Sequence, residues 1–295
     1  MKELFRAPHK RRPAVWAAML LLGVTVFAPP ASSDRFNAPR QRASAQDERF
    51  ATGLRLIPDE EFTALLEKGT CQLNASNRDC AAFVPWRLPT AYSLAGYMPP
   101  AEDQGGTTMC VGHCLACIKG LHEAIEELWD ARLPQHRFSA AAIYNQLPHG
   151  PDGGASIVDG LELLKRLGAN TLANSSGAGR YRIYSYHAVN PSETGRLKSL
   201  LAGGIPIAAS VRSIPALHRH RGDGVLDTYD AGPHDGYHAL TIVGYDDRRG
   251  CGGAFLVQNS WGRSWGDGHG RAWISYTLFT RICRQAFYAV DAPNG

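Results

Sequence analysis

Net charge is almost absent from this chain once its first twelve residues are set aside. Of 31 basic and 27 acidic side chains, Lys2, Arg6, Lys10, Arg11 and Arg12 with Glu3 account for the whole excess, leaving 26 of each sign beyond them. A balanced body offers no basic face to a phosphate backbone, which excludes a nucleic-acid partner on electrostatic grounds. A membrane-length apolar run is also missing. The longest, AVWAAMLLLGVTVFA at 14–28, has fifteen residues between Pro13 and Pro29, whereas a spanning helix takes about 20. No internal repeat is present.

What is there begins with that short run. Basic residues precede it and the small residues of APPASS follow, the pattern of an export signal over 1–33. It implies a secreted, periplasmic or otherwise extracytoplasmic protein whose membrane contact is transient and confined to the signal. Seven cysteines, at 71, 80, 110, 114, 117, 251 and 283, suit that compartment, and an odd number leaves at least one thiol free. Cys71 with Cys80 is one candidate disulfide, and Cys251 with Cys283 another that sequence does not decide.

Residues 34–84 read as a linker or pro-segment, interrupted by one short amphipathic helix in IPDEEFTALLEKG. The stretch 85–103 is rich in proline and tyrosine and reads as extended. Apolar residues then recur at three- and four-residue steps from Val111 to Trp129, predicting a long helix over 109–130 capped by Thr107 or Thr108. Ser156 and Asp159 form a capping-box pattern for a helix over 156–167, with Gly168 as its stop, and a third helix fits 192–202. Strand patterns follow at 205–211, 238–245, 254–259, 271–276 and 286–290. Helices first and strands later predict an α+β protein with two segregated lobes over 85–291.

Cys110 falls in the first turn of the long helix, where unpaired N–H groups and the positive end of the dipole favour a thiolate. His238 opens an apolar strand and Asn259 closes the next. An imidazole takes the thiol proton and returns it to a leaving amine, and an amide oxygen holds the ring in one tautomer. Trp261 is placed to shield that contact from water. Two metal readings fare poorly. His234 and His238 lack a third ligand, and Cys110, Cys114 and Cys117 have an iron–sulfur spacing but lie on the apolar face of a helix. No metal and no cofactor is expected. His218 and His220 read as solvated surface.

Gln104 six residues before Cys110, then GYHALTIVGYDD, then QNSWGRSWGDG resemble the papain/cathepsin family of cysteine peptidases. The resemblance implies a two-lobe α+β fold, an N-terminal helical lobe and a C-terminal antiparallel, barrel-like lobe with the cleft between them. It implies Cys110 as nucleophile, His238 as base and acid, Asn259 as its orienter and Gln104 as a side-chain donor to the oxyanion. Gly153 and Gly154 would lie against the backbone of a peptide or protein substrate. The chain departs from the family around the nucleophile: the usual preceding cysteine is Thr107, and Val111, Gly112 and His113 follow Cys110. A transpeptidase or transglutaminase-like acyl transfer, and a non-catalytic binding protein on the same scaffold, are the alternative functions.

Overall fold

The computed structural model of the chain describes residues 52–69, 87–148, 153–174, 181–230 and 236–294. The expected export signal, most of 34–84 and the Cys71–Cys80 pair lie outside the described residues.

Helix α1 (Asp59–Gly69) matches its amphipathic pattern, with Asp59, Glu60 and Glu61 in the first turn and Lys68 in the last, charges of the sign each helix end favours. The long helix α2 spans Cys110–Glu126. Neither threonine caps it: Met109 is the N-cap and makes no side-chain bond. The Thr107 hydroxyl donates instead to Gln104 O at 2.6 Å, and Thr108 pairs with the Tyr144 hydroxyl at 2.8 Å. The helix ends short of residue 130 because Leu128 turns to a left-handed φ of 58°. Helix α3 (Ala140–Tyr144) is capped by Ser139. Helix α4 (Ile157–Arg166) starts at the complete Ser156–Asp159 capping box, which satisfies two otherwise orphaned N–H groups.

Strands β1 (Ala91–Ser93), β2 (Ile183–Val189), β3 (Ile207–Arg212), β4 (Val225–Leu226), β5 (Tyr237–Asp246), β6 (Ala254–Gln258), β7 (Arg271–Ser275) and β8 (Cys283–Asp291) form one sheet in the order β2-β8-β3-β5-β6-β7-β4, with β1 paired to β5. Among the described strands all pairs are antiparallel except β4 with β7. Helices α5 (Thr194–Ala202), α6 (Pro215–Arg219) and α7 (Tyr276–Ile282) connect strands.

The sheet is buried on both faces, and alternation sorts its residues between two cores. Ile207, Ala209, Val211, Leu240, Ile242, Ala286 and Tyr288 join the core of the strand-rich lobe. Ala208, Ala239, Phe287 and Ala289 face the helical core with α2, α3 and α4. Small side chains at 208 and 239 let α2 approach the sheet closely. That helix serves both cores: Cys110, Val111, Cys114, Leu115 and Ile118 pack in the helical one, Cys117, Leu121 and Ile125 in the other. Each such buried aliphatic contributes roughly 1.5–3 kcal/mol. This is the α+β, two-lobe arrangement expected, and α2 runs along the seam.

At mid-helix the seam is polar. Lys119, fully buried, donates to Glu123 Oε1 at 2.5 Å and Asp291 Oδ1 at 2.6 Å, and Asn294 donates to Glu123 Oε2 at 2.7 Å. These bonds tie the C-terminal strand to the central helix.

Candidate active site

Cys110 is the first residue of α2 and is wholly buried. Burial pushes its thiol pKa above the ordinary value, against backbone N–H groups of Ala239, Gly53, Val111 and Cys110 itself, which favour the thiolate. Ala239 follows His238 on β5, so the thiol lies beside the imidazole's own strand.

His238 is held by pairing of β5 with β3, opposite Val211. Its Nε2 lies 2.7 Å from Asn259 Oδ1. Burial lowers its pKa to about 4, outweighing the Asn259 bond that acts to raise it; His218 and His113 add to the lowering. Nδ1, the nitrogen on the other side of the ring, is buried without a hydrogen-bond partner. No hydrogen bond therefore joins the thiol to the imidazole in this state. Both groups are neutral at pH 7, as a low-dielectric enclosure demands.

Asn259 follows β6, and its N–H donates to Gly270 O at 3.0 Å. Its Oδ1 also accepts from Ser260 N at 2.7 Å, which fixes the oxygen end toward His238. Trp261 covers the pair, its ring 4.5 Å from that of His238 at 29°. His218 lies against Trp261 at 4.7 Å and pairs with Ser213 Oγ at 2.6 Å. The expected solvated surface position of His218 is thus corrected: the indole draws it in. His220 is corrected likewise, packing edge-on to Trp265 with burial lowering its pKa.

Gln104 comes to the same place through the backbone. Its N–H donates to Ser260 O at 2.8 Å, pairing its segment with the Asn259–Trp261 turn. The Ser260 hydroxyl donates to Gln104 Oε1 at 2.5 Å, so the other end of the amide is nitrogen, and it donates to Thr107 O at 2.7 Å. Beside Asn259 lies a small cavity of about 30 Å³ bordered by Glu102, His113, Arg137 and Cys114. Glu102 there accepts from Arg137 and faces His113 at 3.2 Å.

A strap of the chain's own residues, 52–57, crosses these groups. Leu54 bridges Ala155 in parallel and Tyr237 in antiparallel sense. Arg55 N donates to Ala155 O and Ala155 N to Gly53 O, both at 2.9 Å, and Leu54 N donates to Tyr237 O at 3.3 Å. The pairing atoms thus belong to Ala155, one residue beyond the glycines singled out from sequence. Gly154 has φ +67°, and a Cβ there would stand 2.5 Å from Gly53 O. A Cβ on Gly53 would collide with the Thr108 carbonyl beside Cys110. Further along, buried Gln285 takes both backbone groups of Ile57, donating to its oxygen at 2.8 Å and accepting from its N–H at 3.2 Å. Ser260, Gly53 and Gln285 carry no signal in sequence, since each acts only through a partner distant along the chain.

Among the described residues every cysteine is a free thiol, which corrects the candidate Cys251–Cys283 disulfide. Cys251 is exposed in a turn, while Cys283 is buried and donates to Gln285 O at 3.5 Å. No metal-binding cluster occurs among the described residues. Cys114 is occupied by Leu240 O and Thr241, and burial drives its thiol pKa far up.

Residues 167–289 match the family model described as papain family cysteine protease. That stretch includes His238 and Asn259 but stops short of Cys110. Peptidase 1 of Euroglyphus maynei is 28% identical over 116 residues, 38% of this chain and 35% of the relative. Peptidase 1 of Dermatophagoides pteronyssinus is 30% identical over 93 residues, 30% of this chain and 28% of the relative. The chain thus aligns with about a third of the length of these curated relatives. Similarity of fold reaches further. Xylellain, a cysteine protease from Xylella fastidiosa, superposes with TM-score 0.60 at 19% identity, over 85% of this chain and 100% of that one. ProCathepsin B S9 from Trypanosoma congolense gives 0.65 at 16%, over 84% and 89%. The chain thus has the fold of these cysteine proteases, and its residues 167–289 are similar to the papain family of cysteine proteases.

Proposed function

We propose that the chain is an exported cysteine peptidase that hydrolyses peptide bonds through a thioester acyl-enzyme and is held dormant by its own residues 52–57. The observation that carries this reading is the buried His238–Asn259 pair under Trp261, on the strand that also supplies Ala239 to Cys110 at the tip of α2. Export rests on the basic, apolar and small-residue succession of 1–33.

With the strap withdrawn, the Cys110 proton passes to His238 Nδ1, and the sulfur attacks the scissile carbonyl carbon. The carbonyl oxygen takes up the displaced electron pair and is met by N–H groups of Gln104 Nε2 and the Cys110 backbone. Collapse breaks the C–N bond, and the imidazolium returns its proton to the departing amine. Water then loses a proton to His238 and attacks the thioester carbon; the C–S bond breaks, the acid is released and the imidazolium returns its proton to the sulfur. Asn259 keeps Nε2 engaged so that Nδ1 always faces the sulfur, and Trp261 keeps water from that bond. Gly153 and Gly154 leave room for an extended peptide backbone, which would pair with Ala155 and Tyr237 where the strap now does. A single set of backbone groups cannot serve both, so strap and substrate exclude each other.

The reading is tested on the full chain with a peptide library, comparing wild type, Gly53→Ala and Gly53→Ala/Cys110→Ala. Hydrolysis that rises with the first substitution and vanishes with the second is expected. Hydrolysis that persists without Cys110 would falsify the thioester mechanism.

A further inference from the structure

A sizeable cavity bordered by described side chains lies apart from the cleft. It is an open recess of about 520 Å³ between the 95–101 segment, the turn at 128–132 and the loop 263–271. None of Gln104, Cys110, His238 and Asn259 lines it. We propose that this recess is a second ligand site, for a small oxyanion, carboxylate or phosphate, borne on an apolar body.

Charge is the first reason. The body of the chain is neutral, yet three arginines, 132, 263 and 271, line this recess against one acid, Asp130. Asp130 is already spent: Arg132 grips both its oxygens, at 2.8 and 2.9 Å. Among the described residues neither Arg263 nor Arg271 has a carboxylate within ion-pair distance. Arg271 is half-buried and steadied by its Nε bond to Gln258 Oε1 at 3.3 Å. A guanidinium fixed in this way suits the paired oxygens of a carboxylate or phosphate.

The second reason is the opposite wall. Leu128 is the one described non-glycine residue with positive φ, 58°, and the residue is 70% exposed at the recess. A leucine held in the left-handed region is strained, and strain of this kind clusters at functional positions. Trp129 beside it is held rigid by stacking on His136 at 4.7 Å. The volume lies within the range of about 300–1,000 Å³ common for small-molecule sites.

Calorimetry on the full-length Cys110→Ala protein, whose cleft cannot turn over ligand, tests this independently of the peptidase reading. The probes are N-acetyl-leucine, phenyl phosphate and, as the uncharged control, N-acetyl-leucine amide. Saturable binding of either anion but not of the amide is expected, and the stronger of the two identifies the source of the oxyanion. Arg263→Ala and Arg271→Ala should each weaken binding about tenfold, the scale of a charge-assisted bond. Leu128→Ala should weaken the same anions while leaving the weaker binding of inorganic phosphate unchanged. Arg271→Lys, which keeps the charge, guards against loss of fold and should retain part of the affinity. Absence of saturable binding by both anions, or affinity unaltered in the Arg263→Ala/Arg271→Ala double variant, overturns the site.

Discussion

Among single residues, Gln104 shows how far residue type and position carry an argument. Its six-residue lead on Cys110 is visible in sequence, whereas the Ser260 hydroxyl that orients its amide is not. Replacing Gln104 with Ala in a strap-released protein should lower kcat about 10²–10³-fold with little change in KM, as expected for a donor used chiefly in the transition state. A comparable rise in KM with kcat intact would assign Gln104 to ground-state binding instead. Cys110, His238 and Asn259 stand out together in sequence because the proposed chemistry needs three particular side chains. His218 was not, because nothing local distinguishes a histidine that stacks on Trp261 from one in solvent.

Taken as elements, the helices with caps or clean periodicity were the readable ones. Helix α4 follows its capping box and α1 its acidic start. Strand β2 went unrecognised because its burial does not alternate, and α6 and α7 are too short for a period to register. The strap is the element that sequence hid most fully. Extended and irregular, it gains order only from Ala155, Tyr237 and Gln285. Gln285→Ala removes two buried bonds to Ile57, each worth about 0.5–1.5 kcal/mol. Iodoacetamide should then alkylate Cys110 roughly tenfold faster, by the same free-energy scale. An unchanged rate would mean that Gln285 does not hold the strap.

For the molecule as a whole, proton uptake couples the strap to pH. In the covered state His238 has a pKa of about 4, against roughly 6.5 for an exposed imidazole. Between these values the open or unfolded form binds a proton that the covered form refuses. Stability of the covered form is therefore complete above the higher value and is lost as pH falls toward the lower. Hydrogen-exchange protection factors of the Leu54 and Arg55 amides should fall over that window, and His238→Ala should flatten the slope. A slope that survives the substitution would locate the titrating group elsewhere. Asp291 acts in the same direction at lower pH. Burial pushes its pKa up, but His122 and Lys119 together hold it below the ordinary value, so its contribution drains as pH falls through that depressed folded value. Lys119→Met leaves Glu123 and Asp291 buried without their cation and should cost about 3–5 kcal/mol in denaturant unfolding.

By itself the sequence determined in what order the helices and strands form and which side chains the proposed chemistry can draw on. Side-chain type, caps and apolar period are local properties, and they survive in a one-dimensional record. Only the tertiary structure decided that residues 52–57 cover the thiol, that the imidazole is kept neutral, and that arginines from separate segments meet at one recess. Those outcomes depend on burial and on approaches between segments distant along the chain, neither of which has a local signature.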